Sequence, residues 1–275
     1  MGQRRKRRKR KSGRLTQTTM PNGGTKNETP HHTAPSNHST TLSLSKHELK
    51  YIPIITVLLS VAPLAAVVSG FGIGSLRAYF FYLILPAFIA FGGIVRHTKK
   101  TGHQMLYNRL VVGILAGIAL TIALDVVRLT GFNLGYLPAD MPQRFGLQIM
   151  GLMPMRDQPT TTSTVVGYLY HFFNGIAFAV IYTTIFGRIR WWVGVLYAVL
   201  FVEVGMMTLP PMSQMTGYFG LNLGQGIWNG VFLTTLFAHI AMGLVLGGLA
   251  QRFAHGGPVW WRWKIAIIER AEVAM

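Results

Sequence analysis

LVVGILAGIALTIALDVVRLT, residues 110–130, meets its first charged side chain only at Asp125. An apolar run of this length predicts a membrane-spanning helix, because ~20 residues at ~1.5 Å rise cross the hydrocarbon of a bilayer. Working outward, five comparable runs flank it near 52–72, 77–95, 164–187, 191–210 and 227–250. The chain therefore reads as all-α, a polytopic membrane protein with six transmembrane helices. Composition agrees: half the residues are hydrophobic and 12% are charged, against roughly a quarter charged in soluble domains.

The loops set the expected orientation. Basic residues gather in the N-terminal tail, in 96–109 (Arg96, Lys99, Lys100, Arg109), at Arg188 and Arg190, and after the last span at Arg252, Arg262, Lys264 and Arg270. The intervening loops are poorer in charge. Basic segments stay cytoplasmic, so both termini are expected inside. Three parts follow: a disordered basic cytoplasmic tail (1–50), the six-helix domain (51–252) and an interfacial cytoplasmic segment (253–275).

The tail carries twelve of the 26 Lys and Arg residues, eight of them in the unbroken run Arg4, Arg5, Lys6, Arg7, Arg8, Lys9, Arg10 and Lys11. Next to a membrane span, anionic lipid headgroups are its shortest explanation, at about 1 kcal/mol per basic residue near the surface. Nucleic acid is the less favoured partner. Trp260, Trp261 and Trp263 read as an interfacial anchor, since indoles favour the headgroup layer. A homo-oligomer is compatible with the Gly113/Gly117 and Gly243/Gly247 pairs, which read first as close helix packing within one chain.

Four spans retain an ionisable residue: Asp125, His171, Glu203 and His239. Each costs at least a few kcal/mol in hydrocarbon, so their retention marks the candidate site. Three readings compete. The groups pair structurally, for example Glu203 with His171 and Asp125 with Arg128, and the protein has a structural or assembly role. Alternatively all four form a proton or cation path, in which carboxylate and imidazole exchange protons for transport or sensing. Or His171, Glu203 and His239 ligate a zinc- or manganese-like ion in a membrane-embedded enzyme, with 131–160 as a lid.

Other chemistry finds less support. The chain has no cysteine, which excludes thiolate metal sites and cysteine nucleophiles. No P-loop, HExxH helix, nucleophile elbow or dinucleotide fingerprint occurs. Eight of thirteen methionines lie in or beside the outer loops, but no extramembrane His cluster accompanies them as copper handling would want. Asp140 is placed to cap a short amphipathic helix beginning at Met141.

From His171 the chain runs His-x-x-Phe-x-x-x-Phe-Ala-Val-x-Tyr182, then Arg188-Ile-Arg-Trp-x-x-Gly194, Phe201-Val-Glu203, Pro211-x-Met and a late His239. In this pattern residues 167–252 resemble the YagU-like bacterial inner-membrane proteins. The resemblance implies a multi-pass protein of the plasma membrane without an assigned reaction, and it draws attention to His171 and His239.

Overall fold

The computed structural model of this chain describes residues 44–260, and every described element is helical. In chain order these are α1 (Lys46–Gly70), α2 (Leu76–Lys100), α3 (Gln104–Asn133), α4 (Met141–Met150), α5 (Thr161–Phe186), α6 (Trp192–Thr208), α7 (Met212–Thr216) and α8 (Gly230–Phe253). Five of them, α1, α2, α3, α5 and α8, are long and apolar enough to cross a membrane. A sixth crossing exists if α6 and the helical stretch Met212–Leu223, bent by 59° against it, count as one span. The fifth expected span is therefore matched by a bent helix pair and not by one straight helix. The octet Arg4–Lys11, Trp261 and Trp263 lie outside the described residues.

Helix ends follow local chemistry. α1 starts at Lys46, upstream of the boundary expected at 51, because Ser45 and Glu48 cap its first turn reciprocally. The Glu48 carboxylate also accepts from the Leu106 N–H at 3.1 Å, which ties the start of α1 to that of α3. Arg109 is likewise not in a loop. It is fully buried on α3 and donates to the backbone oxygens of Thr184, His255 and Gly257 at 2.7–2.9 Å, clamping the segment after α8 against the end of α5. In α2 the turn Phe80–Ile84 is widened to π geometry. Pro86 follows it and brings no N–H to the ladder, so a locally looser turn relieves the ring.

Packing runs outward from α3, which lies between α5 and α8. On one side α5 carries α1 and α4; on the other, α8 carries α6. The crossings are made through glycine. A methyl on Gly117 would stand 2.5 Å from the Ile176 Cα, and one on Gly175 would strike the Thr121 hydroxyl. Gly194, Gly243 and Gly247 bring α6 against α8 in the same way. The small-residue pairs thus serve contact inside the chain, and Gly175 and Gly243, one turn after His171 and His239, clear room for neighbouring helices.

α1 packs along α5 and α2 rather than along α6. At one end Gly70 lies against Pro210, and Gln214 donates to the Gly70 carbonyl at 2.9 Å. At the other end Tyr197 of α6 packs its ring tilted against Tyr182 and edge-on to Phe186 of α5 and donates to the Phe178 carbonyl at 3.3 Å. Between these closures a cavity of about 620 Å³ is left, bounded by α1, α3, α5, α6 and α8. The outer faces of the bundle are apolar: Val57, Tyr82, Ile89, Val126 and Phe201 are each more than 60% exposed. Water would disfavour such a surface, and lipid would not.

Candidate functional site

The four ionisable residues form two clusters on two sides of this cavity. On α3, Asp125 and Arg128 stand one turn apart and share a face. Arg128 Nε lies 2.9 Å from Asp125 Oδ1, and its Nη2 is 2.8 Å from the same oxygen. Nη1 donates to Asp140 Oδ1. The Tyr168 hydroxyl donates to Asp140 Oδ2 at 3.1 Å and lies 3.3 Å from Arg128 Nη2. From α5, His171 Nε2 reaches Asp125 Oδ1 at 3.1 Å.

This arrangement corrects two expectations. Asp140 occupies the cap position of α4, yet its side chain makes no cap hydrogen bond. The guanidinium attracts it more strongly than a backbone N–H does, because both partners are charged and sheltered from water. α4 starts instead with Pro142 in its first turn and ends at Gly151, whose φ of 78° suits glycine. α4 packs on the bundle. It is held against α5 where Gly146 meets the Ser163 carbonyl and Gly167 meets that of Pro142. Secondly, His171 pairs with Asp125 and not with Glu203.

Glu203 ends the π-helical segment Ala198–Glu203 of α6 and is 1% exposed. The Thr235 hydroxyl lies 2.7 Å from its Oε1. His239, one turn further along α8, brings Nδ1 to 2.7 Å from Oε2 and to 2.8 Å from the Thr235 carbonyl. A carbonyl only accepts, so Nδ1 carries the proton in this bond. Its N–H is aimed at that carbonyl, and Oε2 keeps no hydrogen-bond partner. The close Oε2 contact is therefore an electrostatic one. His239 Nε2 is the ring's remaining nitrogen, and His239, 4% exposed, lines the cavity.

Charge counting shows what the two clusters can do. The first holds two carboxylates, one guanidinium and one imidazole. The second holds one carboxylate and one imidazole. Each is neutral with its histidine protonated and carries one negative charge without that proton. Each cluster can therefore take up or give up one proton at its imidazole. His171, Arg128, Asn174, Thr235 and His239 all line the cavity, whose walls are otherwise almost wholly apolar.

The structure does not gather the expected metal ligands. Among the described residues no three of His, Cys, Asp or Glu come together so as to hold a metal ion. His171 belongs to the Asp125 cluster, and Glu203 with His239 supplies only two donors. Trp260 sets its ring edge-to-face on Phe186 at 5.0 Å, so part of the expected anchor is a packing contact. Residues the sequence reading left out of the site are Asp140, Tyr168 and Thr235. Tyr168 lies three before His171 and Thr235 four before His239, the spacings that share a helix face, so both were within reach of pattern alone. Asp140, on a loop, was not.

No family model, no curated protein and no solved structure matches this chain.

Proposed function

We propose that this chain is a six-span plasma-membrane protein, with both termini cytoplasmic, that couples protonation of His171 and His239 to transport or sensing of a proton or cation. The observation that carries this reading is the buried Glu203–His239 pair. Glu203 has no permanent cation beside it, only an imidazole that holds or releases one proton. A fixed structural pair gains little from such a partner, whereas a transported or sensed proton needs one. The Asp125–Arg128–Asp140 group has the opposite character: every guanidinium nitrogen is engaged, so it pins α3 to the start of α4, and His171 is its one exchangeable member.

The resemblance of residues 167–252 to the YagU-like proteins supports a plasma-membrane location, and the Arg4–Lys11 run supports cytoplasmic anionic lipid as a contact. Orientation is tested by single cysteines in this cysteine-free chain. Lys100→Cys should label only from inside, and Leu134→Cys and Gln225→Cys only from outside; all three positions are exposed. Thr216, fully buried, would not report. The function is tested in proteoliposomes carrying an internal pH dye and an imposed proton gradient. Wild type should acidify the lumen faster than empty vesicles, and Glu203→Gln and His171→Ala should return the rate to background. Equal rates for wild type and both variants would dismiss the proposal.

A further inference from the structure

The cavity indicates what moves with the proton. Its volume, about 620 Å³, is that of a pocket for a drug-sized organic molecule. A hydrated inorganic ion would need a lining of oxygen ligands, and an apolar cavity of this kind does not hold water well. The walls include the aromatic rings of Phe178, Tyr197 and Phe201 and the thioether of Met206. The mouth lies between α1 and α6, where Leu64 is 55% and Phe201 74% exposed. In a bilayer that opening faces acyl chains, so an apolar molecule reaches it from the lipid.

Charge selects among apolar molecules. Three carboxylates, Asp125, Asp140 and Glu203, stand behind the cavity lining, bonded to Arg128 or Thr235, which do line it, and the one guanidinium has its nitrogens committed to Asp125, Asp140 and Tyr168. Among the described residues of this site no uncommitted cation waits for an anion. Asn174 lines the cavity with its Oδ1 unpaired, and behind the lining Glu203 Oε2 also has no hydrogen-bond partner. Both are acceptors of positive charge, and aromatic faces add to that preference. Deprotonated His171 and His239 would leave the site with two negative charges in low dielectric, a state that a bound cation relieves.

We propose that the cavity binds a lipophilic organic cation in exchange for a proton released from the His239–Glu203 or His171–Asp125 site. This rests on the proton-linked reading above and names its substrate class. One monocation entering as one proton leaves keeps the net charge of the cavity constant. Titratable or charged groups lining the cavity are Arg128 from α3 and Tyr170 and His171 from α5, with Asp125, Asp140 and Tyr168 one contact behind them. Tyr197 from α6 and His239 from α8 also line it, with Glu203 behind His239, while α1 contributes none. Tyrosines do not ionise near neutral pH, which leaves the two histidines and their carboxylates to set the dependence.

The test uses the full chain in lipid nanodiscs and a pair of probes of one shape and opposite charge, tetraphenylphosphonium and tetraphenylborate. Saturable binding of the cation, with proton release in weak buffer and affinity falling by up to about tenfold per pH unit on acidification, is expected. Glu203→Gln should weaken the cation by about tenfold or more, and tetraphenylborate should not bind saturably. Equal binding of both ions, preference for the borate, no saturable cation binding, or binding that ignores both pH and Glu203→Gln would each overturn the inference. Wild-type binding decides even if the variant does not fold. Proton flux that needs Glu203 without cation binding would remove this inference and leave the proton path standing.

Discussion

The two polar clusters lie on the same cavity and are built on opposite principles. Around Arg128 two carboxylates, a tyrosine and a histidine converge from α3, α5 and the loop before α4, so each charge finds several partners. Around Glu203 there is one hydroxyl and one imidazole, both from α8. The first is a redundant network, in which losing the centre strands its satellites. The second is a minimal pair, whose charge state is decided by a single proton. Satisfaction of a buried charge by many groups makes structure, and satisfaction by one titratable group makes a switch.

Arg128→Met tests the network at its centre and should have the largest effect. It leaves Asp125 and Asp140 buried without a guanidinium, at a cost of about 3–5 kcal/mol. Detergent-solubilised protein should melt far below wild type or fail to accumulate. A melt within a few degrees of wild type would mean the network is not what holds α3 to the start of α4.

Glu203→Gln sharpens the contrast. The amide keeps an acceptor for Thr235 while removing the charge, so stability should change by no more than about 1 kcal/mol while proton-linked flux falls to background. A large loss of stability with unchanged flux per folded molecule would reverse the roles of the two clusters.

Asp140→Asn trims the network at its edge. The remaining Asp125–Arg128 pair should limit the loss to about 1–3 kcal/mol, with flux retained because His171 keeps Asp125. The denaturation midpoint and the proteoliposome rate read this together.

Thr235→Val should show the smallest effect on stability, about 1 kcal/mol for one buried hydrogen bond. Its information lies in flux. With no hydroxyl on Oε1 the Glu203 carboxylate keeps only His239 as a partner, and proton-linked flux per folded molecule should fall several-fold. Flux unchanged from wild type would show that the Thr235 hydroxyl has no part in the proton path.

The helical, apolar character of the bundle was legible from residues 110–130 and their five counterparts, because hydrocarbon demands backbone hydrogen bonds closed within each segment. The same stretches exposed Asp125, His171, Glu203 and His239 as exceptions. Pairing was not legible: one-dimensional spacing placed Asp125 beside Arg128, since both sit on one helix face, but Glu203 and His239 are joined by a crossing that depends on Gly194, Gly243 and Gly247 letting α6 meet α8. Asp140 looked like a cap for the same reason, as its partner lies on another element. Arg109 looked like a loop charge, and only the fold shows it buried under three carbonyls. What the sequence by itself determined was which segments leave water and which polar groups go with them, a matter of transfer free energy that each residue carries alone. Which of those groups become partners, and the cavity left between α1 and α6, were decided only in the tertiary structure, because both depend on how closely two backbones can approach.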